Sequence, residues 1–364
     1  MRFGMLYELQ LPKPWHSDSE QNLVDEAIEQ CVLGDKLVID YAWSVEHHFL
    51  EEYSHCSASD VFLSAIAAKT KQIKIGFGIR QVISNYNHPV RTAESVAMLD
   101  LISHGRVQFG IGEGATRLEL GGFGIPAKRK RDMALEAARE IADMMVMEPY
   151  PGYKCDDWSL PCRNVLPKPI QKPHPPMWTA SVSPETVGHY AAKGIPFITD
   201  PLATFGRCKR ATEEWRKVAA EHGHSVDDTN FGSMRGLVIA ETEKEARAMA
   251  ERAREFQKDD NITNLQGAPI EKTGEFAAGY YYWKDRYLGK NQELTVDFFW
   301  DRMWLAGDPD RVAAGVKTME DMGFKHILFT LGHAPSTSME ENKRRLKLFA
   351  ESVMPRFKTK VPAV

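Results

Sequence analysis

Several features are scarce or missing in this sequence, and each absence removes a class of protein. The 364 residues include only five cysteines, Cys31, Cys56, Cys155, Cys162 and Cys208. The number is odd and no C-x-x-C pair occurs, so neither a disulfide framework nor a dithiol or zinc motif can be drawn from them. Reduced thiols, and hence a cytoplasmic chain, are the expectation. No run of about 18 apolar residues is present, and the opening MRFGMLYELQLPKPW lacks a charged segment followed by an apolar stretch, so neither a leader nor a membrane span is expected. Basic excess is lacking too. Lys and Arg total 46 against 50 Asp and Glu, a formal net charge of −4, which excludes the cationic footprint of nucleic-acid binding. There is no internal repeat, and no G-x-S-x-G elbow of a serine hydrolase. His55, His88, His104 and His174 fall into no metal-ligand spacing, so no catalytic metal is expected.

What is present is an ordinary globular composition, 43% hydrophobic and 10% aromatic, with length for two domains or one large α/β barrel. Short β-branched runs alternate with longer amphipathic stretches, the pattern of a parallel sheet with helical crossovers. Eight strands can be counted: Phe3–Tyr7, Val38–Val45, Ile73–Ile79, Arg106–Ile111, Met177–Ala180, Pro196–Thr199, Met234–Ala240 and His326–Leu331. Each is followed by helical sequence, which predicts a (β/α)8 TIM barrel spanning 1–364 as one domain. A bare barrel takes about 250 residues. The excess falls largely in a proline-rich excursion over 148–176 and a second insertion over 258–306. The latter carries Tyr280, Tyr281, Tyr282, Trp283, Trp300 and Trp304, and a long segment of that kind at the C-terminal mouth reads as active-site cover.

Barrel active sites lie at the C-terminal strand ends. Strand two ends in Glu46-His47-His48-Phe49, groups able to move protons near neutrality. Strict alternation would favour His48 as the lumenal imidazole, provided the strand continues that far. Strand four ends in Gly110-Ile111-Gly112-Glu113-Gly114, where glycines allow a ring or phosphate close to the backbone. It is not the dinucleotide G-x-G-x-x-G. Strand five is followed by Ser181-Val182-Ser183-Pro184-Glu185-Thr186, a helix start that would suit an anion and equally an ordinary cap.

Read together, Glu46 to Phe49, Asn87-His88-Pro89-Val90-Arg91-Thr92-Ala93-Glu94 and Leu99-Asp100-Leu101-Ile102-Ser103-His104-Gly105-Arg106-Val107-Gln108-Phe109-Gly110-Ile111-Gly112 resemble, in order and spacing, the bacterial luciferase-like flavin-dependent monooxygenase family. Gly307-Asp308-Pro309 and Leu348 to Pro355 extend the match along most of the chain. The resemblance implies a usually dimeric barrel that binds reduced FMN or, in a sister branch, F420. It further implies a separate NAD(P)H-dependent flavin reductase, O2 as co-substrate, a C4a-peroxyflavin and a small organic substrate. By position it makes His47, with Glu46 beside it, the catalytic imidazole, against the alternation argument. It assigns Arg80 and Gln81 to a non-prolyl cis peptide behind the flavin ring, and Gly112 and Glu113 to the flavin's surroundings. Val182, Ser183 and Thr186 match the phosphate-binding stretch. Two departures stand out. Luciferase has a cysteine where this chain has Gly112, so aldehyde luminescence is not implied. Glu113 replaces a phosphate-contacting arginine and would repel the phosphate unless it turns away or a nearby cation such as Arg117 compensates. The alternatives are an F420-dependent oxidoreductase on the same barrel, and a noncatalytic flavin-binding subunit.

Overall fold

The computed structural model describes residues 1–114, 116–181, 183–201, 203–226, 231–263, 295–331 and 338–358, with side chains up to 254 in the segment 231–263. Eight parallel strands close on themselves: β1 (Arg2–Tyr7), β2 (Tyr41–Ser44), β3 (Lys74–Gln81), β4 (Val107–Gly112), β7 (Met177–Ala180), β8 (Phe197–Thr199), β9 (Phe231–Ile239) and β11 (Phe324–Thr330). Closure runs through the pairs Met5↔Phe329 and Thr199↔Ser233. All eight strands expected from the sequence are present. A further short strand, β10 (Leu305–Gly307), adds to β9 outside the ring. A two-residue hairpin, β5 (Tyr153–Lys154) and β6 (Ser159–Leu160), forms within the proline-rich excursion.

The helices between strands are α1 (Ser19–Lys36), α2 (Ser59–Lys69), α3 (Pro89–Ile102), α4 (Arg117–Gly122), α5 (Lys130–Val146), α6 (Pro184–Ala191), α7 (Phe205–Glu221), α8 (Glu243–Thr263), α9 (Val296–Arg302), α10 (Pro309–Asp321) and α11 (Met339–Ser352). Their starts follow local chemistry. Pro89 and Pro184 stand at first positions, where the missing N–H costs nothing. Thr116, Asp308 and Ser338 accept first-turn N–H groups. At α2 the capping position falls on Ala58, so no side chain caps it.

Strand alternation separates two packed layers. Phe3 and Phe329 both meet Phe349 of α11, at 5.3 and 4.8 Å between centroids. Residues of the opposite phase turn inward, where Trp43, Trp178 and His326 stack edge to face and Trp178 Nε1 donates to Gln108 Oε1 at 3.1 Å. The lower lumen is therefore core, not channel. Burial, with Arg2 and Lys74 adding to it, pushes His326 down to about 3, so it is a neutral core histidine. Arg106, part of the motif that carries the family resemblance, donates to the carbonyls of Ser103, Ile73, Ala67 and Thr70. Its work is to tie the loops at the foot of the barrel.

The two insertions differ. The first runs along α5, where Lys168 Nζ donates to Met144 O and Met147 O. It meets the mouth at its tip, with Trp158 against His88 and Asp157 on Arg129. Of the second, 264–294 lie outside the described residues, Tyr280 to Trp283 among them. Trp300 and Trp304 do not line a lid. They are buried with Phe299, Met303, Val238 and Met249 in a satellite core between α8, α9 and β10.

Candidate active site

The mouth of the barrel gathers its polar side chains at two ends. At the first, β2 runs out into Glu46-His47-His48. The His47 Nδ1–H donates to Glu119 Oε1 at 2.9 Å, and its Nε2 lies 3.8 Å from Glu8 Oε2, an ionic contact too long for a hydrogen bond. Glu119 is wholly buried on α4. Its other oxygen accepts from Thr116 Oγ1 at 2.7 Å, while His48 N donates to the oxygen that also faces His47. Thr116-x-x-Glu119 is thus a helix cap turned to a second use. The Glu119 amide is capped by the threonine, and its carboxylate is aimed at the imidazole.

The charges follow from these contacts. Burial acts to lower His47, but Glu119, then Glu8 and Glu46, outweigh it and raise the imidazole to about 9. Burial would raise Glu119, and His47 together with the bonds from Thr116 and His48 brings it below the usual range. Glu8 is held above its ordinary value because burial outweighs the pull of His47. With His47 raised to about 9, the imidazolium form is favoured at neutral pH, with Nδ1–H on Glu119 and Nε2 on the side of Glu8. Glu8 also lines a cavity of about 340 Å³ between β1, α1 and β11, together with Gln30 and Thr330.

The second histidine is engaged elsewhere. His48 Nε2 pairs with Glu46 Oε1 at 3.2 Å, and the ring stacks on Tyr86 and meets Phe123 edge on. Glu46 also accepts from Asn87 Nδ2 at 2.7 Å and from the Gln81 amide at 3.3 Å. It is a positioning residue that fastens the exits of β2 and β3 to each other. Arg80 donates to Asn87 Oδ1 and pairs with Asp60. The expected cis peptide at Arg80-Gln81 is two residues out of place, because the non-prolyl cis bond is Gly78–Ile79. At this point the β3–β4 register shifts, between Phe77 and Arg80.

That shift also explains the glycines of β4. A Cβ on Gly110 would overlap Phe77 O, and one on Gly112 would overlap the end of the Ile79 side chain. Ile79 thus fills the space that a side chain at position 112 would take. Gly114 takes φ +75°, the left-handed turn that favours glycine.

At the other end of the mouth, Glu113 Oε1 accepts from Lys130 Nζ at 2.8 Å, and Glu113 Oε2 faces Arg131 Nε at 3.6 Å. These consecutive cations at the start of α5 offset Glu113. Arg131 also donates to Glu185 Oε1 at 2.6 Å and to Thr186 Oγ1 at 2.9 Å. Ser183 stands at the N-cap of α6 without a side-chain capping bond, and its amide donates to Ser181 Oγ. Val182 lies outside the described residues.

Sequence reasoning missed Glu119, Glu8, Lys130 and Arg131. The capping pattern marked Glu119. Nothing local marks the other three, which the barrel brings in from other strands and helices. Several buried polar atoms around the mouth have no hydrogen-bond partner among the described residues: Glu8 Oε2, Gln81 Oε1, Tyr86 OH, Glu113 Oε2 and Arg131 Nε. Such a set fits a ligand that offers both donors and acceptors. No group of three or more metal-binding side chains occurs among the described residues, and no helix there is long and apolar enough to cross a membrane.

Comparison with known proteins adds a family. Residues 1–326 match the family described as luciferase-like monooxygenase. The oxygenase component of the flavin-dependent trigonelline monooxygenase of Acinetobacter baylyi is 24% identical, with 98% of this chain and 96% of that protein covered. Two solved structures share the fold. The oxygenating constituent of 3,6-diketocamphane monooxygenase from Pseudomonas putida, in complex with FMN, superposes with a TM-score of 0.79 at 20% identity over 99% of both chains. The F420-dependent tetrahydromethanopterin reductase of Methanopyrus kandleri gives 0.68 at 18% identity, covering 98% of this chain and 99% of that one.

Proposed function

Because this chain belongs to the luciferase-like monooxygenase family, we propose that it is the oxygenase component of a two-component flavin-dependent monooxygenase, supplied with reduced FMN by a separate NAD(P)H-dependent reductase and acting on a small organic substrate. The observation that carries the reading is His47 held between two buried carboxylates at a strand exit, 2.9 Å from Glu119 and 3.8 Å from Glu8. When bound, reduced FMN supplies two electrons to O2, so that one oxygen atom passes to substrate and the other leaves as water.

This chain's own residues supply the rest. Ser183, Thr186 and Arg131 would face the flavin phosphate, and Gln81, Gly112 and Tyr86 would border the ring. His47 holds a proton on Nε2 at neutral pH and hands it to an oxygen that gains negative charge there, the role of a general acid. Glu119 stabilises the imidazolium and, once Nε2 has given up its proton, holds the remaining one on Nδ1. Glu46 sets the geometry of β2 against β3. The cavity that Glu8 lines would give a small organic substrate room. A homodimer is part of the same reading.

A second reading has support from F420-dependent relatives, the reductase described above and a glucose-6-phosphate dehydrogenase of Amycolatopsis mediterranei among them. In it His47 serves hydride transfer between F420 and substrate. The test is to mix the chain with photoreduced FMN and then with air, and in parallel with reduced F420. A slowed reoxidation and a perturbed flavin spectrum with FMN alone support the oxygenase; the same perturbation with F420 alone transfers the assignment to the second reading. No perturbation of either cofactor overturns both.

A further inference from the structure

Glu113 is a little-exposed carboxylate set against two consecutive cations, Lys130 and Arg131, at the start of α5. Resting on the flavin reading above, we propose that Glu113 loosens this chain's hold on the flavin phosphate: it occupies the cationic seat at α5 and α6 as a stand-in for phosphate, and so cancels most of what the phosphate of FMN would add to the affinity of the ring.

The seat consists of Lys130 and Arg131 on α5 together with Ser183 and Thr186 at the start of α6. Two carboxylates already fill it. Glu113 takes Lys130 at 2.8 Å and faces Arg131 Nε at 3.6 Å, while Glu185 takes Arg131 Nη1 at 2.6 Å. The two carboxylates are not equivalent. The Glu113 side chain is 16% exposed and that of Glu185 66%. Glu185 can swing into water at little cost, whereas Glu113 has no comparable exit.

Two atoms show that the inner pair is ill matched. Glu113 Oε2 and Arg131 Nε are both buried, and neither has a hydrogen-bond partner. Native structures rarely leave such atoms unpaired, and a phosphate oxygen would satisfy Arg131 Nε directly. With both carboxylates in place, two cations meet two anions and the seat is neutral. An incoming phosphate dianion then gains no net attraction and meets Glu113 as a like charge at short range and low exposure. The buried Tyr190 hydroxyl, which feels both Glu113 and Arg131, brings no positive charge to offset this.

Riboflavin and FMN share the ring and differ in the phosphate, so their comparison isolates the effect. Oxidised flavin is titrated into the full chain and binding is read by fluorescence quenching. Glu113→Gln keeps the shape, removes the charge and is expected to tighten FMN at least tenfold while riboflavin changes less than twofold. Glu113→Asp keeps the charge and should hold FMN within threefold of the unaltered chain. Riboflavin binding doubles as the check that each variant is folded. Equal changes for both flavins, or an Asp variant that tightens FMN as Gln does, overturns the proposal and leaves the flavin reading intact. Failure of the unaltered chain and every variant to bind any flavin overturns the flavin reading, and the proposal with it.

Discussion

The two ends of the barrel mouth use the same ingredients and arrive at different electrostatics. Over β2 and α4, one imidazole meets Glu119, which is wholly buried, with Glu8 behind it. Over α5 and α6, Lys130 and Arg131 meet Glu113 and Glu185, and the outer carboxylate is largely in water. Where burial is complete, the partners cannot exchange and the pair fixes a protonation state. Where it is partial, as at Glu185, the pair is replaceable, and a ligand's charge can compete for the same cation. The first end is built to hold a proton, and the second to be contested by an anion.

The sharpest way to break this contrast is to remove the imidazole. His47→Ala is expected to lower oxygenation by about 10²–10⁴-fold, the usual worth of a positioned acid or base, while oxidised FMN still binds. Oxygen consumption should continue without matching product, which an oxygen electrode and product analysis read together. Turnover equal to the unaltered chain would remove His47 from the chemistry.

Next in size is Glu119→Gln. With that charge gone, burial acts on His47 against weaker opposition, so its titration should fall by at least one pH unit from about 9. The alkaline limb of activity should move toward acid with it. The same change has a stability signature. The folded-state value of His47 lies above the unfolded value near 6.5, so its contribution is fully present below about pH 6.5 and is lost as pH rises through about 9. A shift of that size corresponds to roughly 3 kcal/mol. Unfolding in denaturant at pH 6 and pH 9.5 should show the unaltered chain losing at least about 1.4 kcal/mol more than the variant, the worth of the one-unit fall.

How far the sequence anticipated these two ends depends on how local the signal was. The eight strands were legible because each writes its own apolar run, and closure followed from their number. His47 was legible only through family resemblance, since simple alternation pointed to His48. The structure shows why alternation misled: β2 ends at Ser44, before the histidines, and both find carboxylates. The partners Glu8, Lys130 and Arg131 were illegible because what joins them to His47 and Glu113 is barrel closure, not spacing. Trp300 and Trp304 looked like cover because aromatic residues in an insertion do, and they proved to be core because α8 offers them Met249 and Ala250.

The glycines of β4 were misread in part. They suggested room for a ring, and the space beside Gly112 holds Ile79. Gly112→Cys should therefore destabilise the chain by about 1–3 kcal/mol, the range for overpacking a tight core, and lower the melting temperature by a few degrees. Adding Ile79→Ala should recover part of the loss. A Gly112→Cys chain as stable as the original would show that Ile79 yields freely, and the family's cysteine would then be compatible with this barrel.

The smallest expected effect is the one that tests whether burial, rather than charge count, separates the ends. Glu185 and Glu113 both touch Arg131 and carry the same charge, so a simple tally predicts that neutralising either one helps an anion equally. Exposure predicts otherwise. At 66% exposure the Glu185 pair is screened by water, and such pairs contribute between about 0 and 1 kcal/mol. Glu185→Gln should shift stability by under about 0.5 kcal/mol and change FMN affinity less than threefold, well short of the tenfold expected from Glu113→Gln. If the two variants tighten FMN alike, depth of burial does not rank these carboxylates, and the contrast between the fixed and the exchangeable end of the mouth fails at its own boundary.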